Sequence, residues 1–109
     1  VEQALAAAGS GRRTGAILLV DASGLLSGIF TDGDLRRLVN ANGAKGLAQP
    51  IRDVMTADPG RLDAGSLVQD AVRLVRERRV DEIPVIDAEG HPVGILDVQD
   101  LIAMKAVQE

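Results

Sequence analysis

Residues 15–38 read GAILLVDASGLLSGIFTDGDLRRL, and residues 81–104 read DEIPVIDAEGHPVGILDVQDLIAM. The two stretches align without a gap at a spacing of 66 positions. Ile17 falls on Ile83, Asp21 on Asp87, Ala22 on Ala88 and Gly24 on Gly90. Gly28 falls on Gly94, Ile29 on Ile95, Asp34 on Asp100 and Leu35 on Leu101. A repeated unit of this size buries its apolar face against its twin. Clefts form between such copies, and clefts are where small ligands are held.

Within each copy the order of signals is the same. Residues 16–20 form an apolar run with strand character, and residues 21–24 fit a tight turn with Asp first and Gly fourth. Residues 25–30 return as the second strand of a hairpin. Thr31 then opens a helix to about residue 41, with Leu35, Leu38 and Val39 on one face. In the second copy residues 83–86 and 93–96 are the strands, residues 87–90 the turn, and residues 98–107 the helix. Residues 40–50 read as a connector rich in Asn, Gly and Ala, and residues 51–55 as a short helical turn. Residues 56–65 read as a loop with a brief strand around Arg61 and Leu62. The clearest helix is predicted over residues 66–79, with Ser66 and Gln69 matching a capping box and Leu67, Ala71, Leu74 and Val75 forming an apolar stripe. Residues 1–8 read as a short Ala-rich helix and residues 10–14 as a polar loop.

The fold class expected is therefore α/β (α+β), with two helix-strand-strand-helix repeats related by a pseudo-twofold axis. The first repeat spans residues 1–45 and the second residues 46–109. The second has a lead-in, residues 51–66, that the first lacks. The chain also begins with Val1 rather than Met, so the expectation is a piece of a longer protein in which the missing lead-in precedes Val1.

Composition narrows the function classes. The 109 residues suffice for one compact domain with a modest core. Hydrophobic residues make up 46% and aromatics 1%, Phe30 being the only Phe, Tyr or Trp, so the core is built from Val, Ile, Leu and Ala. Base-stacking nucleic-acid binding, which needs aromatic platforms, is disfavoured. The 12 basic and 16 acidic residues give a net charge of −4, and no basic stretch exceeds a pair of arginines, so there is no phosphate-backbone footprint. With no cysteine, disulfides, thiolate nucleophiles and cysteine-ligated zinc are excluded. His91, the single histidine, reads as a solvent-exposed turn residue, not a metal site. No apolar run reaches membrane-spanning length and no signal peptide opens the chain, so a cytoplasmic protein without membrane or nucleic-acid partners is expected.

The sharpest local motif is the run GIFTDGDL, residues 28–35. It sets a hydroxyl, Thr31, and a carboxylate three residues on, Asp34, at a strand-to-helix junction. A helix N-terminus offers free backbone N–H groups and partial positive charge, which suit a phosphate or ribose hydroxyls. The Asp34 carboxylate can accept from both hydroxyls of a ribose. The same residues nearly make a capping box, and Asp97 is an ordinary N-cap residue, so capping and ligand contact weigh about evenly here. Arg36 and Arg37 read as a solvated helix face, as do Arg76, Arg78 and Arg79, and Arg12-Arg13 echoes Arg78-Arg79 across the repeat. Met55 and Met104 read as core filler.

The double unit resembles a tandem CBS domain pair, or Bateman module. Ile83-Pro84-Val85-Ile86-Asp87 is similar to that family's apolar-Pro-Val-apolar-Asp strand. Residues 28–34 and 94–100 resemble its Gly-apolar-x-Thr/Ser-x-x-Asp element, and residues 51–56 the stretch that opens a repeat. Within the family, residues 30–37, 51–56 and 94–101 are similar to the CBS pair that follows the sugar-isomerase domain of arabinose-5-phosphate isomerases. That resemblance implies a regulatory module sensing an adenosine nucleotide or nucleotide-sugar, with no catalytic residue, cofactor or metal of its own. It also implies an attached isomerase domain whose pathway supplies the eight-carbon acid sugar of lipopolysaccharide. Carried over residue by residue, one cleft uses Ile29, Thr31 and Asp34, walled by Arg61, Leu62, Ile83 and Pro84. A second, weaker cleft uses Asp97 and Asp100, walled by Ile17 and Leu18. Asp97 stands where the family has Thr or Ser, which sets negative charge where a phosphate would approach.

A different reading is a structural module without ligand, a homodimer pairing through helix faces around Leu35, Leu38, Leu101 and Met104. A catalytic or metal-binding domain is the third. Asp32 with Asp34, and Asp97 with Asp100, are carboxylate pairs, but the further oxygen ligands and terminal Glu of a calcium loop are absent. No Ser/His/Asp set supplies an activated nucleophile.

Overall fold

The chain is described by a computed structural model covering residue 1, residues 15–66 and residues 68–103, with only the backbone of Asp100. The predicted helix over residues 1–8, the polar loop at 10–14, Arg12, Arg13, Leu67, Met104 and the end of the last helix lie outside the described residues. Among the described residues, two small sheets carry four α-helices. The first sheet runs β1 (Ala16–Val20), β2 (Leu26–Thr31) and β3 (Thr56–Ala57), all antiparallel. Helix α1 (Asp32–Asn42), a 3-10 segment (Gly43–Ala48) and the short α2 (Ile51–Val54) fall between β2 and β3. The second sheet runs β4 (Leu62–Asp63), β5 (Glu82–Ile86) and β6 (Pro92–Asp97), with β4 parallel and β6 antiparallel to the central β5. Helix α3 (Val68–Arg78) crosses from β4 to β5, and α4 (Val98–Ala103) follows β6.

The spacing of 66 persists in the backbone. Ala16 pairs with Thr31, and Glu82 with Asp97, at the open ends of the hairpins. Each hairpin shifts register at the same place, between Leu19 and Val20 and between Val85 and Ile86. Each turn is closed by the same device. Asp21 Oδ1 accepts from the backbone N–H of Ser23 at 2.8 Å and of Leu25 at 3.1 Å. Asp87 Oδ1 accepts from those of Glu89 and His91, both at 2.9 Å. Gly24 and Gly90 end the turns at φ +82° and +94°, a region that glycine enters without a Cβ clash.

The turns also meet each other. The Leu26 N–H donates to the Gly90 carbonyl at 3.0 Å. A Cβ built on Gly24 would sit 3.3 Å from the His91 ring, and one on Gly90 3.5 Å from Leu25 Cδ2. Leu25 and His91 occupy equivalent positions, so the contact is reciprocal, as a twofold axis requires.

Each repeat has its own core. Phe30, Leu38 and Val1 form the first, with Leu19, Leu35, Leu47, Ile51, Val54 and Met55 packed around them. Leu62, Ala71, Ile83 and Leu101 form the second, with Leu74, Val75, Val80 and Leu96. The one aromatic ring, Phe30, is 2% exposed and anchors the first core. Leu35 and Leu38 face inward on α1 as expected, but Val39 is turned to solvent. Of the residues expected to pair two modules, Leu38 and Leu101 are buried in the chain's own cores and Leu35 packs against the first.

Candidate functional site

Thr31 ends β2 and caps α1. Its Oγ1 accepts from the Asp34 N–H at 3.0 Å, and Asp34 Oδ2 accepts from the Thr31 N–H at 2.9 Å. This is a complete capping box with Asp in the place that Glu or Gln usually takes. Asp34 Oδ1 also accepts from the Arg37 guanidinium at 2.6 Å. Burial raises the Asp34 carboxyl pKa. The Thr31 backbone N–H, Arg37 and the Thr31 hydroxyl outweigh it and hold the group below the usual carboxylate range. Capping therefore does not remove Asp34 from ligand contact. Its side chain stays 17% exposed, and each carboxylate oxygen has a second lone pair.

A hollow of about 650 Å³ opens in front of this junction. Ile29, Thr31 and Asp34 line it, with Asp32, Gly33, Arg36 and Arg37 beside them. The opposite wall comes from two short stretches, residues 56–60 and residues 78–82. Both carry non-glycine residues at positive φ: Asp58 at +48° and Arg79 at +52°. Arg79 stands where a helix commonly ends in glycine, and an Arg there holds the left-handed conformation at a cost of about 1 kcal/mol. Backbone strain of this kind gathers at functional sites.

The wall residues expected from the sequence fall elsewhere. Ile83 and Pro84 are fully buried, because β5 is the central strand of its sheet and is covered on both faces. Leu62 is buried in the second core. Arg61 is half-buried and held by its own loop, donating to the Pro59 carbonyl at 3.2 Å and to Asp58 Oδ1 at 2.6 Å. The residues that do line the hollow from this side are Arg78, Arg79, Val80, Asp81 and Glu82. The paired arginines were visible in the sequence, but read as surface charge.

Glu82 is the most perturbed group there. Burial first, and then the carboxylates of Asp81, Asp97, Asp32 and Asp34, push its pKa up to about 7. The wall thus joins guanidinium groups to a carboxyl that changes charge near neutral pH.

Of the second predicted cleft, Ile17 and Leu18 lie half-buried on β1, paired with Phe30 and Ile29. Asp97 closes β6 and caps α4, its Oδ1 accepting from the Gln99 N–H at 2.8 Å. The side chain of Asp100 lies outside the described residues. His91 lies against the Gly24 turn, with Nδ1 3.4 Å from Asp87 Oδ2 and 3.6 Å from Glu89 Oε2. Among the described residues no group of three or more His, Cys, Asp or Glu could hold a metal ion, and no helix is long and apolar enough to cross a membrane.

Two repeated hairpins joined at a twofold, each feeding a helix, with a hollow between one helix start and the other repeat, are the architecture of a CBS domain pair. The chain belongs to the CBS domain family, whose sequence profile matches residues 51–106. Over 86 residues it is 36% identical to the arabinose 5-phosphate isomerase GutQ of Shigella flexneri, an alignment that covers 79% of this chain and 26% of that protein. The chain thus spans about a quarter of the length of that curated relative. Among solved structures, a CBS-domain containing protein from Agrobacterium tumefaciens superposes with a TM-score of 0.77 at 28% identity, over 95% of this chain and 79% of the other. CBSX2, solved in complex with AMP, superposes with a TM-score of 0.68 at 26% identity, over 85% of this chain and 72% of the other.

Proposed function

We propose that this chain is a regulatory ligand-binding CBS module that senses a nucleotide or nucleotide-sugar and is joined, in a longer protein, to a sugar-phosphate isomerase domain. The observation that carries the reading is the hollow itself. It sets the Thr31–Asp34 helix start of the first repeat against the arginines and carboxylates of residues 78–82 of the second. The helix start and Asp34 suit ribose hydroxyls. The guanidinium groups of Arg36, Arg78 and Arg79, which have no carboxylate within ion-pair distance among the described residues, suit phosphate. AMP in the structure of CBSX2 supports the ligand class, and the likeness to an arabinose 5-phosphate isomerase supports the attached domain. Because both repeats contribute walls, a ligand here binds one arrangement of the repeats better than others and so biases whatever is fused to them. The isomerase chemistry belongs to the part of the relative that this chain does not match.

A thermal-shift screen of AMP, ADP, ATP, S-adenosylmethionine and cytidine sugar nucleotides tests this. A ligand at 100 times its Kd stabilises the folded state by about 2.7 kcal/mol. The expected result is a ligand-induced rise in Tm for the natural chain that is absent in Asp34→Ala. The comparison is the ligand-induced shift, since losing the cap lowers the variant's own Tm. No shift with any compound overturns the reading.

A further inference from the structure

We infer that an anionic ligand enters this cleft together with a proton taken up by the Glu82 carboxylate, so that occupancy of the module is coupled to pH. The inference rests on the reading of the hollow as a ligand site, and deepens it.

Glu82 opens β5 at the wall of the hollow. Its carboxyl lies against Gly15, on the neighbouring repeat, where a Cβ would collide with Glu82 Oε1. A side chain at residue 15 would make the Glu82 carboxyl move from this place. Gly15 is also the repeat partner of Asp81, so the first repeat has given up a side chain at the place where the second repeat inserts a carboxyl.

The groups that face Glu82 come from four elements. Asp81 precedes it, and Asp97 pairs with it across β6. Asp32 and Asp34 approach from the start of α1. On the cationic side, Arg37 is drawn to Asp34 at 2.6 Å, leaving Arg36 of α1 and Arg78 and Arg79 at the end of α3 around the same hollow. Glu82 itself has no ion pair or hydrogen bond to its carboxyl among the described residues, whereas the neighbouring carboxylates Asp34 and Asp58 each hold an arginine. A carboxyl with several like charges around it and no cation of its own is the one that takes the proton when more negative charge arrives. Its pKa of about 7 before any ligand arrives places the exchange near neutrality.

The sign follows from linkage. Below about pH 7 Glu82 is already neutral and an anion enters without proton exchange. Above it Glu82 is ionised, the anion raises its pKa further, and binding takes up a proton, so affinity falls as pH rises. The limiting slope for one proton is about tenfold per pH unit.

Calorimetric titration of AMP into the full chain at pH 6 and pH 8, each in two buffers of different ionisation enthalpy, counts the protons. At pH 8 the phosphate, with a second pKa of about 6, is already a dianion and adds little to the count. The expected result at pH 8 is uptake approaching one proton and affinity about tenfold below that at pH 6. Glu82→Gln should show no uptake at pH 8 and an affinity that no longer falls between pH 6 and pH 8. AMP binding with no proton uptake by the natural chain at pH 8 overturns the coupling and leaves the site standing; this arm needs no variant to fold. The same uptake in a folded Glu82→Gln assigns the proton elsewhere and also overturns it. No AMP binding at either pH overturns AMP as the ligand and the coupling with it, whereas the site reading falls only when no compound of the screen binds.

Discussion

The two repeats share a backbone but not a chemistry. Their hairpins have the same pairing, the same register shift and the same Asp-closed turn. At the strand-to-helix junctions they part. The first begins with Thr31, which caps α1 together with Asp34, and the second with Asp97, whose carboxylate accepts from the Gln99 N–H. At the mouth of the hairpin the first repeat has Gly15 and Ala16 where the second has Asp81 and Glu82. The difference teaches that register is held by pattern and turn chemistry, which tolerate many side chains, while the site depends on a few positions where the copies have diverged.

Two substitution pairs at equivalent positions and one single exchange would break or sharpen that comparison. The largest effect is expected at residue 30. Phe30→Ala removes a ring that is 2% exposed and should cost about 3–5 kcal/mol. Its partner Leu96 is only partly buried, and Leu96→Ala should cost about 1.5–2 kcal/mol. Urea denaturation reads both, and equal losses would mean that the cores are as alike as the hairpins. Next is Gly28→Ala, where the new Cβ would run into Met55, itself packed on the first core, at a cost of about 1–3 kcal/mol. Gly94→Ala meets nothing within 4 Å and should change stability by less than about 0.5 kcal/mol. A silent Gly28→Ala would show that Met55 repacks freely. The smallest effect on stability is expected from Thr31→Asp, which rewrites the first junction as the second. Asp caps helices at least as well as Thr, so the change should stay within about 0.5 kcal/mol. It adds a carboxylate beside Asp32 and Asp34, and AMP affinity should fall roughly tenfold or more. Unchanged affinity would show that residue 97 does not distinguish the repeats as sites.

How far the sequence could be read follows from the same split. The hairpins, α1, α3 and the Thr31–Asp34 junction were legible because alternation, turn residues and caps are local. The 3-10 segment over Gly43–Ala48 was not, since Leu47 is its only large apolar contact in a run of small residues. The two-residue β3 was missed because its pairing with Gly28 and Ile29 comes from a distant strand. The far wall of the hollow differs from the one expected for a reason of burial. Ile83 and Pro84 lie inside a central strand, and only its first residue, Glu82, reaches the hollow. Arg79 was passed over as surface charge because nothing in a sequence marks an arginine held at positive φ.

Between the end of β3 in one sheet and the start of β4 in the other, only residues 58–61 intervene. A tether that short keeps each half near its twin at an effective concentration on the order of millimolar or above. The seam therefore needs almost no affinity of its own, and the reciprocal touch of two turns is enough to set its alignment. What would be a weak, dissociating complex between separate halves becomes, on one chain, a joint that stays assembled.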